Sequence, residues 1–158
     1  MTSSSLPIAV VGLGYVGLPL AVALARHFPT IGYDVDPSRI AELRAGRDRT
    51  GEIAPAVLSD SPLEVTDRRE AIAAAEIYIV TVPTPVDAQD QPDLTIVKEA
   101  CANIGEMLTV GDIVVFESTF YPGVTEDVCG PALAAASGLI CGRDFFLGYS
   151  PERINPGD

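Results

Sequence analysis

The chain has 158 residues, 47% of them hydrophobic, which suits one domain with a packed core. Its formal net charge of −12 argues against long-range attraction to DNA, RNA or an anionic membrane, all of which are negatively charged. The start of the chain lacks signal-peptide features, and no run of 18 apolar residues occurs, so we expect a cytoplasmic protein. Cys101, Cys129 and Cys141 form no CxxC pair, so no metal site is indicated.

Short apolar runs alternate with amphipathic ones along the chain. In order, we predict a strand at 7–12, a helix at 15–28, a strand at 30–34, a helix at 37–46, a short helix near 54–59, a strand at 63–66, a short helix at 68–75, a strand at 76–82, a helix at 94–108, a strand at 112–116, a helical stretch at 124–137 interrupted at 130–131, and a strand at 145–149. Apolar strands separated by helices are typical of a parallel sheet covered on both faces. Right-handed crossovers then predict one Rossmann-type doubly wound α/β domain over residues 1–158, with strand order 3-2-1-4-5-6.

A glycine-rich turn, GLGYVG, joins the first predicted strand to the first predicted helix. The pattern G-x-G-x-x-G is weak alone, but in this strand–turn–helix setting it indicates dinucleotide binding. The first glycine permits a tight turn, the second lets the backbone approach a pyrophosphate, and the third lets the helix pack on the strand. The predicted cofactor contacts are Gly12, Gly14, Tyr15, Val16 and Gly17, at the positive end of the helix. The alternative is a tight turn without a ligand.

Asp34 ends the second predicted strand, 22 positions after Gly12 (34 − 12 = 22). A carboxylate there accepts hydrogen bonds from the adenosine ribose and repels a 2′-phosphate, which favours NAD over NADP. The alternative is that Asp34 only caps the turn into the next helix, although Asp36 is the better capping residue. Arg39, one turn into that helix, either lies against the adenine or is a solvated helix residue.

Three later loops follow strands at the edge of the sheet where ligands of this fold bind. The first carries Thr81, Pro83 and Thr84, the second carries Ser118 and Thr119, and the third spans residues 150–158. We expect these loops to surround the nicotinamide half of the cofactor. The alternative for each loop is a Pro/Gly turn with ordinary polar side chains.

Five segments, in order, resemble the UDP-glucose/GDP-mannose dehydrogenase family: GLGYVGLPLA, DVDPSRI, VTVPTP, ESTFYPGVTE and GYSPERINPGD. The resemblance covers residues 8–158. Its last two segments are closer to the branch acting on UDP-N-acetylhexosamines, such as the UDP-N-acetylglucosamine 6-dehydrogenases of surface-polysaccharide and lipopolysaccharide synthesis. The UDP-glucose branch more usually has STVPVGT and NPEF at these places. A UDP-glucose 6-dehydrogenase is nevertheless the alternative.

The resemblance implies oxidation of a sugar C6 alcohol to a carboxylate, in two hydride transfers to two NAD⁺. It also implies an active-site cysteine that carries the sugar as a thiohemiacetal and then as a thioester. By the same resemblance, Thr119 helps to place the reacting water and the nicotinamide. Glu152 would serve thioester hydrolysis, which needs a carboxylate to activate water. Arg153 and Ile154 would begin the loop that faces the UDP-sugar substrate.

The family's nucleophilic cysteine stands in a GFGGSC-like motif, and no cysteine between residues 1 and 158 does so. Cys101 and Cys129 are interpreted as packing residues. We therefore expect the chain to bind NAD without catalysing, as part of a parent enzyme that dimerises through a central region outside it. The alternatives are a stand-alone NAD-binding module and another dehydrogenase of this fold, such as a 3-hydroxyacid type, which the ESTFYPG and SPERINPGD loops disfavour.

Overall fold

A six-stranded parallel sheet forms the centre of the computed structural model, which describes residues 6–151. The strands are β1 (Ile8–Val11), β2 (Thr30–Tyr33), β3 (Glu64–Thr66), β4 (Ile77–Val80), β5 (Ile113–Phe116) and β6 (Phe146–Tyr149). Their order is β3-β2-β1-β4-β5-β6, which confirms the predicted doubly wound topology. Because β1 pairs with both β2 and β4, the strand order reverses at β1, and ligands of this fold bind beyond the carboxyl ends of such neighbours.

Helices connect the strands close to the predicted positions. They are α1 (Gly17–Ala25), α2 (Pro37–Arg44), α3 (Pro55–Asp60), α4 (Thr95–Gly105) and α5 (Gly130–Ser137), with a 3₁₀-helix at Arg69–Ile72 and a π-helix at Thr125–Cys129. The ends of α2 are as expected: the Asp36 side chain accepts a hydrogen bond from the Ser38 N–H at 2.9 Å, and Gly46 follows with φ +78°.

The predicted interruption of the last helical stretch at residues 130–131 is wrong. The π-helix Thr125–Cys129 passes directly into α5 at Gly130, so the chain stays helical. Pro131 lies in the first turn of α5 and has no N–H to donate to the helical turn before it, and the hydrogen-bonding pattern changes at this point instead of the helix ending.

The two faces of the sheet bury separate apolar clusters. Val10 of β1 packs with residues of α1 and α2, whereas its neighbours Ala9 and Val11 pack with residues of α4 and α5. Strands buried on both sides have near-continuous apolar sequences, as β1 does. This double-sided core holds the strand ends in place, and the loops that follow them are positioned by it.

Candidate functional site

A cavity of about 800 Å³ opens at the carboxyl edge of the sheet, where β1 and β4 end. Its volume is in the range of sites that bind cofactors. Of the predicted cofactor residues, all but Gly17 line it: Gly12, Gly14, Tyr15, Val16, Asp34, Arg39, Thr81, Pro83, Thr84, Ser118 and Thr119. A smaller cavity of about 440 Å³ lies at the opposite edge, among the starts of the first strands, and contains none of these residues.

The three glycines of the turn differ in what surrounds them. Gly12 has φ +99°, a backbone conformation that side-chain-bearing residues rarely adopt. A Cβ at Gly17 would collide with the Gly12 carbonyl and the Thr81 hydroxyl, so the helix approaches the strand as closely as predicted. A Cβ at Gly14 would meet no atom within 4 Å, because Gly14 borders the open cavity. The turn thus has the free space beside its backbone that a pyrophosphate requires.

Thr81 joins the end of β4 to the glycine turn. Its hydroxyl donates a hydrogen bond to the Gly12 carbonyl at 2.6 Å, and its N–H donates to the Val11 carbonyl at 2.8 Å. Thr81 therefore shapes the turn besides lining the cavity.

Asp34 accepts hydrogen bonds from two backbone N–H groups. Its Oδ2 accepts a hydrogen bond from the Leu13 N–H at 2.9 Å, and its Oδ1 accepts one from the Asp36 N–H at 3.0 Å. The carboxylate thus caps the turn into α2 and also holds the glycine turn. A carboxylate has about four acceptor positions, and Asp34 is half-buried in the cavity wall, so capacity remains for ribose hydroxyls.

Arg39 is only 4% exposed, so the alternative of a solvated helix residue is wrong. Its Nε donates a hydrogen bond to the Leu13 carbonyl at 2.9 Å. Its other nitrogens form ion pairs with Glu42 at 3.1 Å and Asp48 at 2.9 Å. Arg39 thus lines the cavity and also anchors the glycine turn to α2, a role that its position in the sequence did not indicate.

Two hydrogen bonds join the loops after β4 and β5. Buried Ser118 donates to the Val82 carbonyl at 2.8 Å, and the Thr84 hydroxyl donates to the Thr119 carbonyl at 3.1 Å. Thr119 itself is exposed in the cavity wall. The predicted residues Glu152, Arg153 and Ile154 lie outside the described residues.

Sequence reasoning missed one wall of the cavity, which is a face of α4 and the turn after it. The residues that line it are Ile96, Glu99, Ala100, Asn103, Ile104 and Met107. They recur at helical spacing, so the pattern was available, but an apolar helix face is normally interpreted as core. Arg69 also lines the cavity, and it bonds to Asn103 at 3.0 Å and Glu106 at 2.8 Å.

A second missed group lies between α2 and α3, in the least regular stretch of the sequence. Arg49 and Thr50 of this segment line the cavity. Arg49 forms an ion pair with Glu42 at 2.7 Å and lies 3.7 Å from Asp36. The hydrogen bond from Arg49 lowers the pKa of Glu42.

The cysteines lie away from the cavity wall. Cys101 and Cys129 are fully buried, as expected of packing residues. A hydrogen bond with Cys129, together with burial, raises the pKa of the Cys101 thiol, which keeps it protonated. Cys141 is exposed as a residue, although partial desolvation of its thiol raises the pKa. In residues 6–151 no cluster of His, Cys, Asp and Glu could hold a metal ion, and no helix there has the length and apolar character needed to cross a membrane.

Comparison with known proteins identifies the family of the chain. Residues 6–158 match the NAD binding domain of the UDP-glucose/GDP-mannose dehydrogenase family. The chain belongs to this family. It is therefore an NAD-binding domain, and NAD is its cofactor.

Relatives within the family are similar over almost the whole chain. Protein CapL of Staphylococcus aureus is 50% identical over 151 residues, which are 96% of this chain and 36% of CapL. The UDP-N-acetyl-D-glucosamine 6-dehydrogenase of Pseudomonas aeruginosa is 53% identical over 97% of this chain and 36% of its own length. The solved structure of a UDP-D-ManNAc dehydrogenase from Pyrococcus horikoshii has a TM-score of 0.87 and 37% identity, with 96% of this chain and 37% of that chain covered. The chain thus spans about a third of the length of such relatives.

Proposed function

We propose that this chain is the cofactor-binding part of an NAD-dependent UDP-N-acetylhexosamine 6-dehydrogenase. The observation that carries the proposal is the meeting of the glycine turn, Asp34 and the loops after β4 and β5 around one cavity. The hexosamine class is supported by the Pseudomonas aeruginosa and Pyrococcus horikoshii relatives, whose names specify UDP-N-acetyl-glucosamine and UDP-ManNAc. We further propose that the whole protein acts in the cytoplasm and dimerises through a region outside this chain.

The residues of the cavity suit binding and orientation of a dinucleotide. The N–H groups of the turn at Gly14 and Tyr15 would bind the pyrophosphate at the start of α1, and Asp34 would accept hydrogen bonds from the adenosine ribose. Bound NAD⁺ supplies the hydride acceptor. Thr84 and Thr119, joined by their hydrogen bond, would fix the distance between the loops at the nicotinamide end.

Catalysis would involve Thr119 and Glu152. Thr119, which is exposed in the cavity wall, would bind water beside the reacting carbon. Glu152 follows β6 by three residues and would act as a general base for hydrolysis of a thioester on a cysteine elsewhere in the protein. Arg153 and Ile154 would then begin the substrate-facing loop.

A chimera tests the proposal. This chain replaces the corresponding 36% of the Pseudomonas aeruginosa UDP-N-acetyl-D-glucosamine 6-dehydrogenase, and NADH formation is followed with UDP-N-acetylglucosamine. We expect two NADH per UDP-N-acetylglucosamine, and a folded chimera that binds NADH but does not oxidise this sugar would overturn the proposal. The hexosamine assignment is tested separately in the full-length parent of this chain, where faster turnover of UDP-glucose than of UDP-N-acetylglucosamine would overturn it.

The role of Glu152 is tested in the same chimera. Glu152→Gln keeps the shape of the side chain but cannot take up a proton, so hydrolysis should slow while acylation of the cysteine continues. Mass spectrometry after incubation with NAD⁺ and UDP-N-acetylglucosamine should then show the added mass of the sugar nucleotide. Normal turnover without an adduct would show that another group activates the water.

A further inference from the structure

Asp48 accepts five hydrogen bonds although it does not line the cavity. Its Oδ1 accepts hydrogen bonds from the Arg39 guanidinium at 2.9 Å, the Thr50 N–H at 3.0 Å and the Thr50 hydroxyl at 2.7 Å. Its Oδ2 accepts hydrogen bonds from the N–H groups of Glu52 and Ile53, both at 3.0 Å. The side chain of Asp48 is completely buried. A buried carboxylate that accepts this many hydrogen bonds fixes the positions of all the groups that donate to it.

The first consequence concerns the glycine turn. Leu13, inside the turn, is held on both sides: Asp34 accepts its N–H, and Arg39 donates to its carbonyl. While its Nε donates to that carbonyl, the opposite edge of the Arg39 guanidinium pairs with Asp48 and Glu42. Asp48 therefore acts on the turn through Arg39.

The second consequence concerns the cavity wall. The segment from residue 48 to residue 53 turns around the Asp48 carboxylate, and this turn presents Arg49 and Thr50 to the cavity. Arg49 lies 3.7 Å from the carboxylate of Asp36, two residues after Asp34, so this segment borders the end of β2, where the adenosine ribose is expected. One buried carboxylate thus holds two separate parts of the adenosine end.

Asp48 is ionised in the folded protein. Burial acts to raise its pKa, but hydrogen bonds from Thr50, Ile53 and Arg39 outweigh burial and hold the pKa below its ordinary value. The charge matters because an ionised acceptor forms shorter and stronger hydrogen bonds with a guanidinium than a neutral amide oxygen does.

We propose that Asp48 is a positioning residue for the adenosine half of NAD, acting through Arg39 and through the segment that carries Arg49 and Thr50. The proposal rests on the NAD binding of this domain. Asp48 would touch no ligand itself, but it would hold the site in the shape that binds NAD. Binding is stronger when the site already has its bound shape.

The test is the variant Asp48→Asn, which keeps the size and one acceptor oxygen. Calorimetry with NADH and with ADP-ribose, which lacks the nicotinamide, should show both affinities lowered by the same factor, about tenfold to a hundredfold. Equal loss for the two ligands places the defect in the adenosine half. An unchanged affinity, or a loss confined to NADH, would overturn the proposal.

Asp112 provides a matched control. It is a buried aspartate that also accepts a backbone and a hydroxyl hydrogen bond, both from Thr109, but it precedes β5 at the opposite edge of the sheet. Asp112→Asn should leave both ligand affinities unchanged, whatever its effect on thermal stability. A similar loss of affinity in this control would show that any weakening of the fold affects binding, and would overturn the specific role of Asp48.

A second variant covers the case in which Asp48→Asn does not fold. Asp48→Glu keeps the charge but moves the carboxylate by one methylene group, away from the donors that it pairs with. Both affinities should again fall by the same factor, and unchanged affinities would overturn the proposal. If the unsubstituted chain bound neither ligand, the NAD-dependent function itself would be overturned instead.

Discussion

At the scale of single residues, the glycine turn separates ligand binding from packing. Gly14 faces open space and Gly17 faces backbone, so side chains at the two positions should have opposite effects. We expect Gly14→Val to lower NADH affinity at least ~100-fold, because its side chain would occupy the space of the pyrophosphate, with little change in melting temperature. Gly17→Ala should instead destabilise the fold by about 1–3 kcal/mol. Fluorescence titration and thermal unfolding measure the two effects, and unchanged NADH affinity in Gly14→Val would place the phosphates elsewhere.

Asp34 should determine the choice between NAD and NADP. Its charge repels a 2′-phosphate, while Arg49, which lines the cavity, could bind one. Asp34→Asn keeps an acceptor for the Leu13 N–H and removes the charge, so the preference for NADH over NADPH should fall by about tenfold or more.

The ratio of the two dissociation constants is the measurement for Asp34. Adding Arg49→Gln to the Asp34→Asn variant should weaken NADPH and leave NADH nearly unchanged. A ratio that does not move in the single variant would show that the ribose binds away from Asp34.

At the scale of elements, α4 has two functions: one face lines the cavity and another packs against α5. The contact with α5 is closest at Gly105, where an added Cβ would lie 2.5 Å from the Ala136 side chain and 3.1 Å from the Leu133 carbonyl. Gly105→Ala should therefore lower the free energy of unfolding by about 1–3 kcal/mol. Adding Ala136→Gly removes the colliding atom and should restore part of the loss, which urea denaturation would show. Absence of any loss would mean that the two helices separate without cost.

At the scale of the whole molecule, the described residues 6–151 form a cavity that none of the three thiols lines. The thioester chemistry that the resemblance implies would need an accessible thiolate, whereas Cys101 and Cys129 are buried. We expect the 158-residue chain to bind NADH but to form none from NAD⁺ and UDP-N-acetylglucosamine. Absorbance at 340 nm is the readout, with the chimera as the positive control. Turnover by this chain alone would show that one of these thiols reaches the sugar.

The sequence by itself determined the strand order, the glycine turn and the position of Asp34. These features depend on short-range regularities: apolar runs of strand length, a strand–turn–helix junction, and a carboxylate at the next strand end. The parallel topology then follows from the handedness of the connections, which is nearly invariant. That is why the predicted residues of the turn and of the two later loops were found together.

Only the tertiary structure decided what Arg39, Asp48 and the α4 face do. Arg39 meets Leu13 across 26 positions, and Arg69 meets Asn103 across 34, so no local pattern indicates these contacts. A charged residue in a helix is exposed by default, and its burial depends on which acceptors the fold brings to it. An apolar helix face likewise becomes core or cavity wall according to what packs against it, which the amino acids of the helix do not specify.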